Sequence, residues 1–586
     1  MSKEPTEKKD GTLGKILSYM KPFRVMLIAI VVLSLLGSIL NVIVPIFTKN
    51  IVNLTSEGIV SGFDLDAIWR NVLLTVAALL GAFLCNLIQS LITPALAQRT
   101  AQRMRSDLND KSNRIPLNYF DTTPEGETLS TMTNDIDTLS TSFSSTLPSL
   151  VTAIATLLGC IVVMLITNWV LTIVTIVASI LGLLITSKVL SISSPFFAKN
   201  QALLAELNST VNEDIKGILV IKSFNAEKEA MESFDKTNTD LYESTWKSQM
   251  ATSLLTPIAL FSNNLSYIMV CIVGAYLVFS GSEQIGTVIA FISYASLFAT
   301  PISTISQSSG QIQPALAAGD RIFAMLEQPE MSDDGTKSID LSSIKGAVQF
   351  DHVQFGYVPN HIIVHDFSLN VKPGQKVAIV GPTGAGKSTL INLLTRFYEV
   401  NGGDISIDGT SIYDMPRETL HSLISIVLQE TWTFAGSIRD NIVYSKEGVT
   451  DEQLQQVVSS CGLDSFVRQC PAGLDTILGE EADISAGQKQ LITIARAMID
   501  DAPILILDEA TSSVDTRTEA IISAAIDRLL EGRTSFVVAH RLSTIRNADM
   551  IIVLKDGDVL ETGTHDELMA KEGFYADLYM SQFEQH

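Results

Sequence analysis

The sequence predicts an α-helical membrane domain fused to a soluble α/β domain, on three observations. Hydrophobic residues make up 46% of the 586 residues, charged residues only 18%, and the mean hydropathy is +0.30. This composition is typical of a membrane protein that carries a soluble part. Five long windows before residue 320 contain no charged residue. After about Gly346, short β-rich runs alternate with helical ones, as in α/β domains.

The uncharged windows predict six transmembrane helices rather than core helices of a soluble protein. One helix needs about 20 apolar residues to cross the bilayer core. The third window, 147–187, has 41 residues and a polar break, TNW at 167–169, so it predicts a tight helical hairpin. The other four windows predict one span each. The windows are 25–48, 71–98, 147–187, 248–282 and 284–319.

Loop charge predicts the orientation of these spans. Lys and Arg are concentrated in the loops 99–146 and 188–247, whereas the other loops are short or acidic. Because positive residues stay in the cytoplasm, we expect both long loops and both termini of this multi-pass membrane protein to be cytoplasmic. The loops should continue the spans as cytoplasmic helical extensions. The polar N-terminus is not a cleavable signal, because the apolar stretch after it is too long.

The predicted organisation has four parts. They are a cytoplasmic segment (1–22), a six-helix transmembrane domain (23–320), a linker (321–345) and an α/β domain (346–586). The formal net charge of −23 argues against nucleic acid as a partner. The five cysteines form neither a disulfide framework nor a metal-ligand pattern, so we expect small apolar fillers.

A phosphate-binding motif opens the α/β domain. GPTGAGKST, residues 381–389, fits G-x-x-x-x-G-K-[ST], follows the apolar run VAIV and precedes the helix-like LINLLTRF. Its glycines, Gly381, Gly384 and Gly386, allow backbone N–H groups to turn toward phosphate oxygens. We expect Lys387 to reach the β- and γ-phosphates of ATP and Ser388 to bind Mg²⁺. The fold class is therefore an α/β P-loop ATPase domain fused to the six membrane helices.

Two acidic residues end a second buried strand. In ILILDEA, residues 504–510, four apolar residues are followed by Asp508 and Glu509. Alone, such a pair is more often a solvated strand end. After a P-loop motif it predicts catalysis, with Asp508 holding Mg²⁺ through water and Glu509 polarising the attacking water.

With these motifs in order, nearly the whole chain resembles an ABC exporter half-transporter of the B-family-like type. The resemblance implies that Tyr357 stacks on adenine and that Thr389 lies with the rest of the P-loop at the nucleotide. It implies that Gln429 links Mg²⁺ and water to the membrane domain and that His540 contacts the γ-phosphate. Asp515, at the end of SSVD, matches the loop that crosses the dimer interface.

The membrane loops carry a second part of the resemblance. RIPLNYFDTTPEGETLSTMTNDID resembles the first cytoplasmic loop of exporters, with a short coupling helix near 116–120. NSTVNEDIKGILVIKSF resembles the second loop, with coupling contacts near 217–224. In this family two ATPase domains enclose each ATP, one giving its P-loop and the other its signature loop. ATP binding closes the pair, and the coupling helices transmit closure to the spans.

The signature loop departs from the family pattern L-S-G-G-Q. Residues 484–488 are ISAGQ, so Ser485, Gly487 and Gln488 are retained and Ala486 replaces a glycine. Since alanine restricts backbone dihedrals and close approach, we expect a weakened contact with the partner's ATP. The motifs also resemble the consensus-site subunit of heterodimeric bacterial multidrug exporters. They predict a homologous half-transporter as partner, with no glutamate after its own magnesium-binding Asp. The alternative is a homodimer that tolerates alanine.

The transport pathway is less defined by sequence. Polar residues inside the spans should face inward, either toward a substrate or as interhelical hydrogen bonds. They include Asn86, Gln89, Asn263, Asn264 and Gln307. The leading hypothesis is ATP-driven export of small amphipathic, drug-like molecules; a lipid or peptide exporter and a channel that uses ATP for gating are the alternatives.

The predicted topology is tested by labelling single cysteines in an otherwise cysteine-free chain. A membrane-impermeant maleimide should label Ser56→Cys in intact cells and should label Asn118→Cys only after the membrane is opened. The reverse pattern would refute the orientation derived from Lys and Arg placement.

Overall fold

A computed structural model describes residues 11–332, 335–337, 339–358, 361–429, 431–479, 484–508, 516–538 and 545–583. These residues form two units. The first contains residues up to 113 together with 125–328, and the second contains 114–124 together with the residues from 329 onward. The short segment 114–124, which lies between two spans in sequence, therefore packs with the α/β unit.

The described part of the first half of the chain is almost entirely helical. A segment that crosses a bilayer must satisfy its backbone hydrogen bonds internally, and a helix does so. A π-helical turn, Thr131–Asp135, joins α5 to α6. The helices are α1 Thr12–Met20, α2 Arg24–Ser61, α3 Leu65–Ser112, α4 Leu117–Thr122, α5 Glu125–Ser130, α6 Ile136–Thr167, α7 Trp169–Lys216, α8 Ile218–Ser223, α9 Glu227–Ser253, α10 Leu255–Phe279 and α11 Ile285–Leu326.

The prediction of six spans is confirmed. Within the described residues, six helices are long and apolar enough to cross a membrane. The third window is a helical hairpin: α6 ends at Thr167, and α7 begins at Trp169. Asn168 makes this turn, and its Oδ1 accepts a hydrogen bond from the Leu171 N–H, an N-cap that satisfies one free donor of α7.

Both expected coupling segments are short helices. Within the second unit, α4 begins after Pro116, close to the expected range 116–120. Within the first unit, α8, Ile218–Ser223, lies inside the expected range 217–224. Gly217 ends α7, and the following turn directs the chain into α8.

The last membrane helix is longer than predicted. α11 continues to Leu326, past the expected boundary at 320. Arg321 explains the extension, because its guanidinium donates two hydrogen bonds to the carboxylate of Asp135, at 2.7 and 2.5 Å. Asp135 is buried, with 5% of its surface exposed. This ion pair fixes the end of α11 against the turn that precedes α6.

The second unit is built on two sheets. Short runs of apolar residues form the strands. Buried side chains of both sheets and of α12 pack together in one apolar core. The strands are β1 Val348–Phe355, β2 Val364–Val371, β3 Lys376–Val380, β4 Gly402–Ile407, β5 Thr410–Ser411, β6 Ile424–Val427, β7 Ile504–Asp508, β8 Thr534–Val538, β9 Met550–Lys555 and β10 Asp558–Gly563.

Helices surround the larger sheet of this unit. They are α12 Lys387–Leu394, α13 Arg417–Ser422, α14 Ile438–Val443, α15 Asp451–Ser460, α16 Asp464–Gln469, α17 Ala486–Asp500, α18 Thr516–Leu530, α19 His565–Ala570 and α20 Phe574–Phe583. A second apolar cluster lies mainly between these helices, including residues of α14, α15, α17 and α18.

The order of the strands places the functional motifs along one edge of the larger sheet. The larger sheet has the order β10-β9-β3-β8-β7-β6, and all its pairs are parallel except β9 with β10. The smaller sheet, β2-β1-β4-β5, is antiparallel. In a parallel sheet every strand ends at the same edge, and ligands bind outside that edge.

Candidate nucleotide-binding site

The motifs predicted from sequence follow the ends of neighbouring parallel strands. The phosphate-binding motif begins after β3, Asp508 is the last residue of β7, and Gln429 lies two residues after β6. Since β3, β8, β7 and β6 are adjacent in that order, these residues lie along one sheet edge. Gln429 is exposed, whereas Asp508 is partly buried.

The glycines of the motif have the backbone geometry that phosphate binding requires. Gly386 is the N-cap of α12 with φ +96°, a left-handed conformation that side chains rarely adopt. A Cβ on Gly381 would lie 2.4 Å from the carbonyl oxygen of Leu554, so the loop can pass β9 only with glycine there. The loop therefore leads into the N-terminus of α12, where free N–H groups and the helix dipole attract anions.

Lys387 is held inside this loop. Its ammonium donates to the carbonyl oxygens of Gly381 at 2.7 Å and Pro382 at 3.0 Å. An ammonium has three donors, so one hydrogen remains for a phosphate oxygen. Burial lowers the pKa of Lys387, and the negative charge of Asp508 partly opposes that shift.

Tyr357 lies at the side of the P-loop helix. Its hydroxyl is 3.3 Å from Oγ1 of Thr389, which is buried in the first turn of α12. Phe355 and Tyr398 contact the Tyr357 ring edge to face, with centroids 5.0 and 4.9 Å away. The ring is 43% exposed, so it keeps a free surface on which a base can stack.

These residues fit ATP with a magnesium ion. The N-terminus of α12 and Lys387 supply positive potential for phosphates, and the exposed hydroxyl of Ser388 lies in the first turn of the same helix. Asp508 and Gln429 add oxygen atoms, the ligands that Mg²⁺ prefers. Magnesium binding by Ser388, Asp508 and Gln429 stays a prediction.

The signature loop forms the beginning of α17. Ser485 is the N-cap, with its Oγ accepting from the Gln488 N–H at 3.3 Å while Gln488 Oε1 accepts from the Ser485 N–H at 2.8 Å. This capping box orders the loop. The Ser485 hydroxyl still has its hydrogen to donate to an anion, and Gly487 is buried behind it.

The expected backbone cost at Ala486 is wrong. Ala486 is the first residue of α17, in helical conformation, and it is absent from the non-glycine residues with positive φ among those described. The steric part of the expectation stands, because Ala486 is exposed and its methyl group occupies surface at the helix N-terminus.

Three predicted site residues, Glu509, Asp515 and His540, lie outside the described residues. Glu509 follows the last residue of β7 in sequence, and His540 comes two residues after the end of β8. Their assignment to catalysis and to the dimer interface stays a prediction.

Sequence reasoning missed a connection between this site and α4. Tyr398, whose ring contacts Tyr357, donates a hydrogen bond to the carboxylate of Asp121 on α4. A cavity of about 520 Å³ lies beside them, lined by Tyr357, Tyr398 and Asn118 among others. No local signal predicts this contact, because the two partners are 277 residues apart.

Comparison with known proteins agrees with this geometry. Residues 27–302 match the family model "ABC transporter transmembrane region", and residues 364–512 match the family model "ABC transporter". The chain is 37% identical to the "Fatty acid ABC transporter ATP-binding/permease protein" of Mycobacterium bovis, over 96% of this chain and 95% of that protein.

Two further relatives are named for other substrates. The chain is 34% identical to the "Probable multidrug resistance ABC transporter ATP-binding/permease protein YheH" of Bacillus subtilis, over 83% of this chain and 72% of that protein. It is 31% identical to the "ATP-dependent lipid A-core flippase" of Syntrophus aciditrophicus, over 86% of this chain and 83% of that protein.

Six membrane helices and a P-loop domain on one chain define an ATPase coupled to transmembrane transport. The chain belongs to the ABC transporters, among the exporter half-transporters that join one transmembrane region to one ATP-binding domain.

The proposed catalytic roles predict different defects for two substitutions. Glu509→Gln should leave ATP binding intact and lower hydrolysis by about 10²–10⁴-fold, the usual contribution of a general base. Lys387→Ala should weaken ATP binding at its site instead, because it removes the phosphate contact. Nucleotide binding and phosphate release, measured on each purified variant, separate the two effects. More than about a tenth of wild-type turnover in Glu509→Gln would contradict the catalytic role.

Proposed function

We propose that this chain is a subunit of an exporter that moves amphipathic, drug-like small molecules out of the cytoplasm by alternating access. The observation that carries the proposal is the interior of the membrane unit, where the uncharged windows bury polar residues such as Gln89 and Thr93 among apolar ones. Such an interior accepts molecules that are partly polar and partly apolar. The names of the relatives, which refer to fatty acid, multidrug and lipid A transport, favour amphipathic molecules as the transported class.

The ATP site would drive this movement. In the proposed assignment Lys387 and the N-terminus of α12 bind the phosphates, and Tyr357 stacks on the base. Ser388, Asp508 and Gln429 would hold Mg²⁺, which would neutralise phosphate charge. Glu509 orients the attacking water, and His540 contacts the γ-phosphate. The proposal places this domain and both termini in the cytoplasm, on the evidence of loop charge.

A second chain is needed to complete the site. Ser485 caps the N-terminus of α17, and no described strand of the sheet leads directly into this helix. The P-loop, by contrast, directly follows β3. The family resemblance implies that the signature loop acts on the partner's ATP. Exposed apolar residues support a docking surface for another protein chain. In α8 and just after it they are Ile218, Leu219, Val220 and Phe224.

We propose that the partner is a homologous half-transporter in a heterodimer. The methyl group of Ala486 would face the partner's ATP and hinder close approach of the signature loop. This chain's own site would be spared, since the partner supplies the signature loop there. A partner without the glutamate after its magnesium-binding Asp would have a weak hydrolytic site of its own. The weak signature loop of this chain would act at that same site, so the dimer would have one consensus and one degenerate ATP site.

Two alternatives remain within transport. A lipid or peptide exporter would use the same ATP cycle. The names of the fatty acid and lipid A relatives agree with lipid export. A homodimer is favoured by the helical backbone of Ala486, which shows that alanine is accommodated without strain.

Substrate stimulation tests the transport function. The complex reconstituted in lipid should hydrolyse ATP faster when a transported amphiphile is added, and inside-out vesicles should accumulate that molecule only with hydrolysable ATP. Glu509→Gln is the matched control, since it should bind the molecule without accumulating it. A flat ATPase response to dyes, peptides and lipids, together with steady ion conductance, would favour a channel instead.

Expression of the chain alone tests the heterodimer. We expect aggregation or negligible ATPase activity, and recovery when the homologous half-transporter is co-expressed. Ala486→Gly is the informative control, because it should change only the site formed with the partner's P-loop. A stable homodimer with full substrate-stimulated ATPase would refute the proposed partner.

A further inference from the structure

The linker that leads into the α/β unit is anchored at Ser332, an exposed residue. The Ser332 hydroxyl donates a hydrogen bond to Oε1 of Glu399 at 2.6 Å. The same hydroxyl oxygen accepts from Nη2 of Arg396 and from Nη2 of Arg417, each at 3.0 Å. The Ser332 carbonyl oxygen also accepts from Nη1 of Arg417, at 2.8 Å. One serine thus joins two guanidinium groups and a carboxylate, and we call these four residues the Ser332 clasp.

Arg396 occupies a backbone position that normally favours glycine. It lies just beyond the end of α12, and its φ is +56°. Its N–H donates to the Leu393 carbonyl oxygen at 3.0 Å. The next N–H, that of Phe397, donates to the Asn392 carbonyl oxygen at 2.9 Å. These two bonds form a Schellman motif, whose left-handed residue is usually glycine because a side chain strains it. An arginine here indicates that its side chain has a role that glycine could not fill.

The guanidinium group of Arg396 is buried and held on several sides. Only 2% of the side chain is exposed. Nε donates to Glu399 at 3.2 Å, Nη1 donates to the Ile412 carbonyl oxygen at 3.3 Å, and the group lies over the Tyr413 ring, 5.0 Å from its centroid. Burying a charge without such partners is costly, so the side chain has a fixed position. Among these partners, Ser332 is the one that belongs to the linker.

The linker in turn contacts the segment 114–124, which carries α4. The N–H of Met331, one residue before the clasp serine, donates to the Arg114 carbonyl oxygen at 2.8 Å. Further along the same segment, Asp121 accepts a hydrogen bond from Tyr398. The turn that follows α12 therefore holds the segment at two points, one directly and one through the linker.

The helix α12 connects this turn to the phosphate-binding loop. It is eight residues long and begins at Lys387. Most of its residues are buried in the apolar core that both sheets share. A short, well-packed helix moves as one body, so a displacement at its phosphate-binding end also displaces its other end.

We propose that Arg396 is a positioning residue for coupling, which transmits phosphate binding at the start of α12 through Ser332 to the segment 114–124. The inference rests on the proposed ATP-driven transport. It adds a connection at the phosphate end of the site, beside the one that Tyr398 makes with Asp121.

Hydrogen exchange in the segment 114–124 tests this role. The assembled transporter, with its partner where one is required, is placed in lipid nanodiscs and saturated with the non-hydrolysable analogue adenylyl imidodiphosphate. We expect the nucleotide to slow exchange of the backbone N–H groups in the segment. Ser332→Ala should reduce that slowing about fivefold, the lower end of the usual coupling between two sites.

A second variant and a matched control locate the effect. Arg396→Gly removes the side chain and supplies the residue that the left-handed position favours, so backbone strain cannot cause its loss of slowing. Ser343→Ala is the control in the same linker, because the Ser343 hydroxyl donates to the Asp340 carbonyl oxygen in its own turn, at 2.7 Å. Substrate accumulated per ATP hydrolysed should fall in Ser332→Ala and Arg396→Gly and should stay unchanged in Ser343→Ala.

The outcomes separate this inference from the proposed function. Unchanged slowing in Ser332→Ala and Arg396→Gly, or an equal loss in Ser343→Ala, would overturn the role of the clasp. If Arg396→Gly fails to assemble, Ser332→Ala alone decides. A wild-type complex that accumulates substrate while the nucleotide leaves the segment unaffected would overturn the inference and keep the proposed function. A wild-type complex that accumulates no amphiphile would contradict both.

Discussion

The membrane windows of this protein contain no charged residue, and most of the remaining architecture follows from that constraint. A bilayer cannot solvate backbone polar groups or charges, so the chain crosses it only as helices. Phosphate chemistry needs lysine, carboxylates and a metal ion. These groups are therefore located in the α/β unit. The free energy of ATP binding and hydrolysis has to reach the spans through the chain segments that join one span to the next.

The segment 114–124 meets this requirement. It lies between two spans in sequence and packs with the α/β unit in the structure. Its helix α4 contacts that unit through Asp121, which accepts a hydrogen bond from Tyr398. Tyr398 in turn contacts Tyr357, the residue proposed to stack on adenine. We propose that nucleotide binding acts on α4 through these aromatic contacts.

Sequence predicted the features that depend on neighbours in the chain. The six spans follow from length and charge, and the strand ends that carry the P-loop motif and Asp508 follow from apolar runs. The hairpin turn at Asn168 follows from a polar break. Each of these features depends on residues that are close together in the chain, so a single sequence is enough to predict it.

The missed features depend on distant partners or on backbone detail. The contact between Tyr398 and Asp121 joins residues far apart in sequence, and the Asp135–Arg321 pair that extends α11 does the same. The error at Ala486 has another cause: glycine in a family pattern does not prove a glycine-only conformation, and here the position is simply the first residue of a helix. The roles of Glu509, Asp515 and His540 stay predictions.

A double-mutant cycle on Tyr398→Phe and Asp121→Ala tests this coupling most directly. The quantity to measure is substrate transported per ATP hydrolysed in proteoliposomes, with Thr122→Ala as control, because the Thr122 hydroxyl donates only within the same helix. Coupling through the Tyr398–Asp121 contact predicts that each single substitution lowers this ratio while basal hydrolysis persists, and that the double variant is no worse than either, since both remove one interaction. Independent, additive losses, or an unchanged ratio in the single variants, would contradict it.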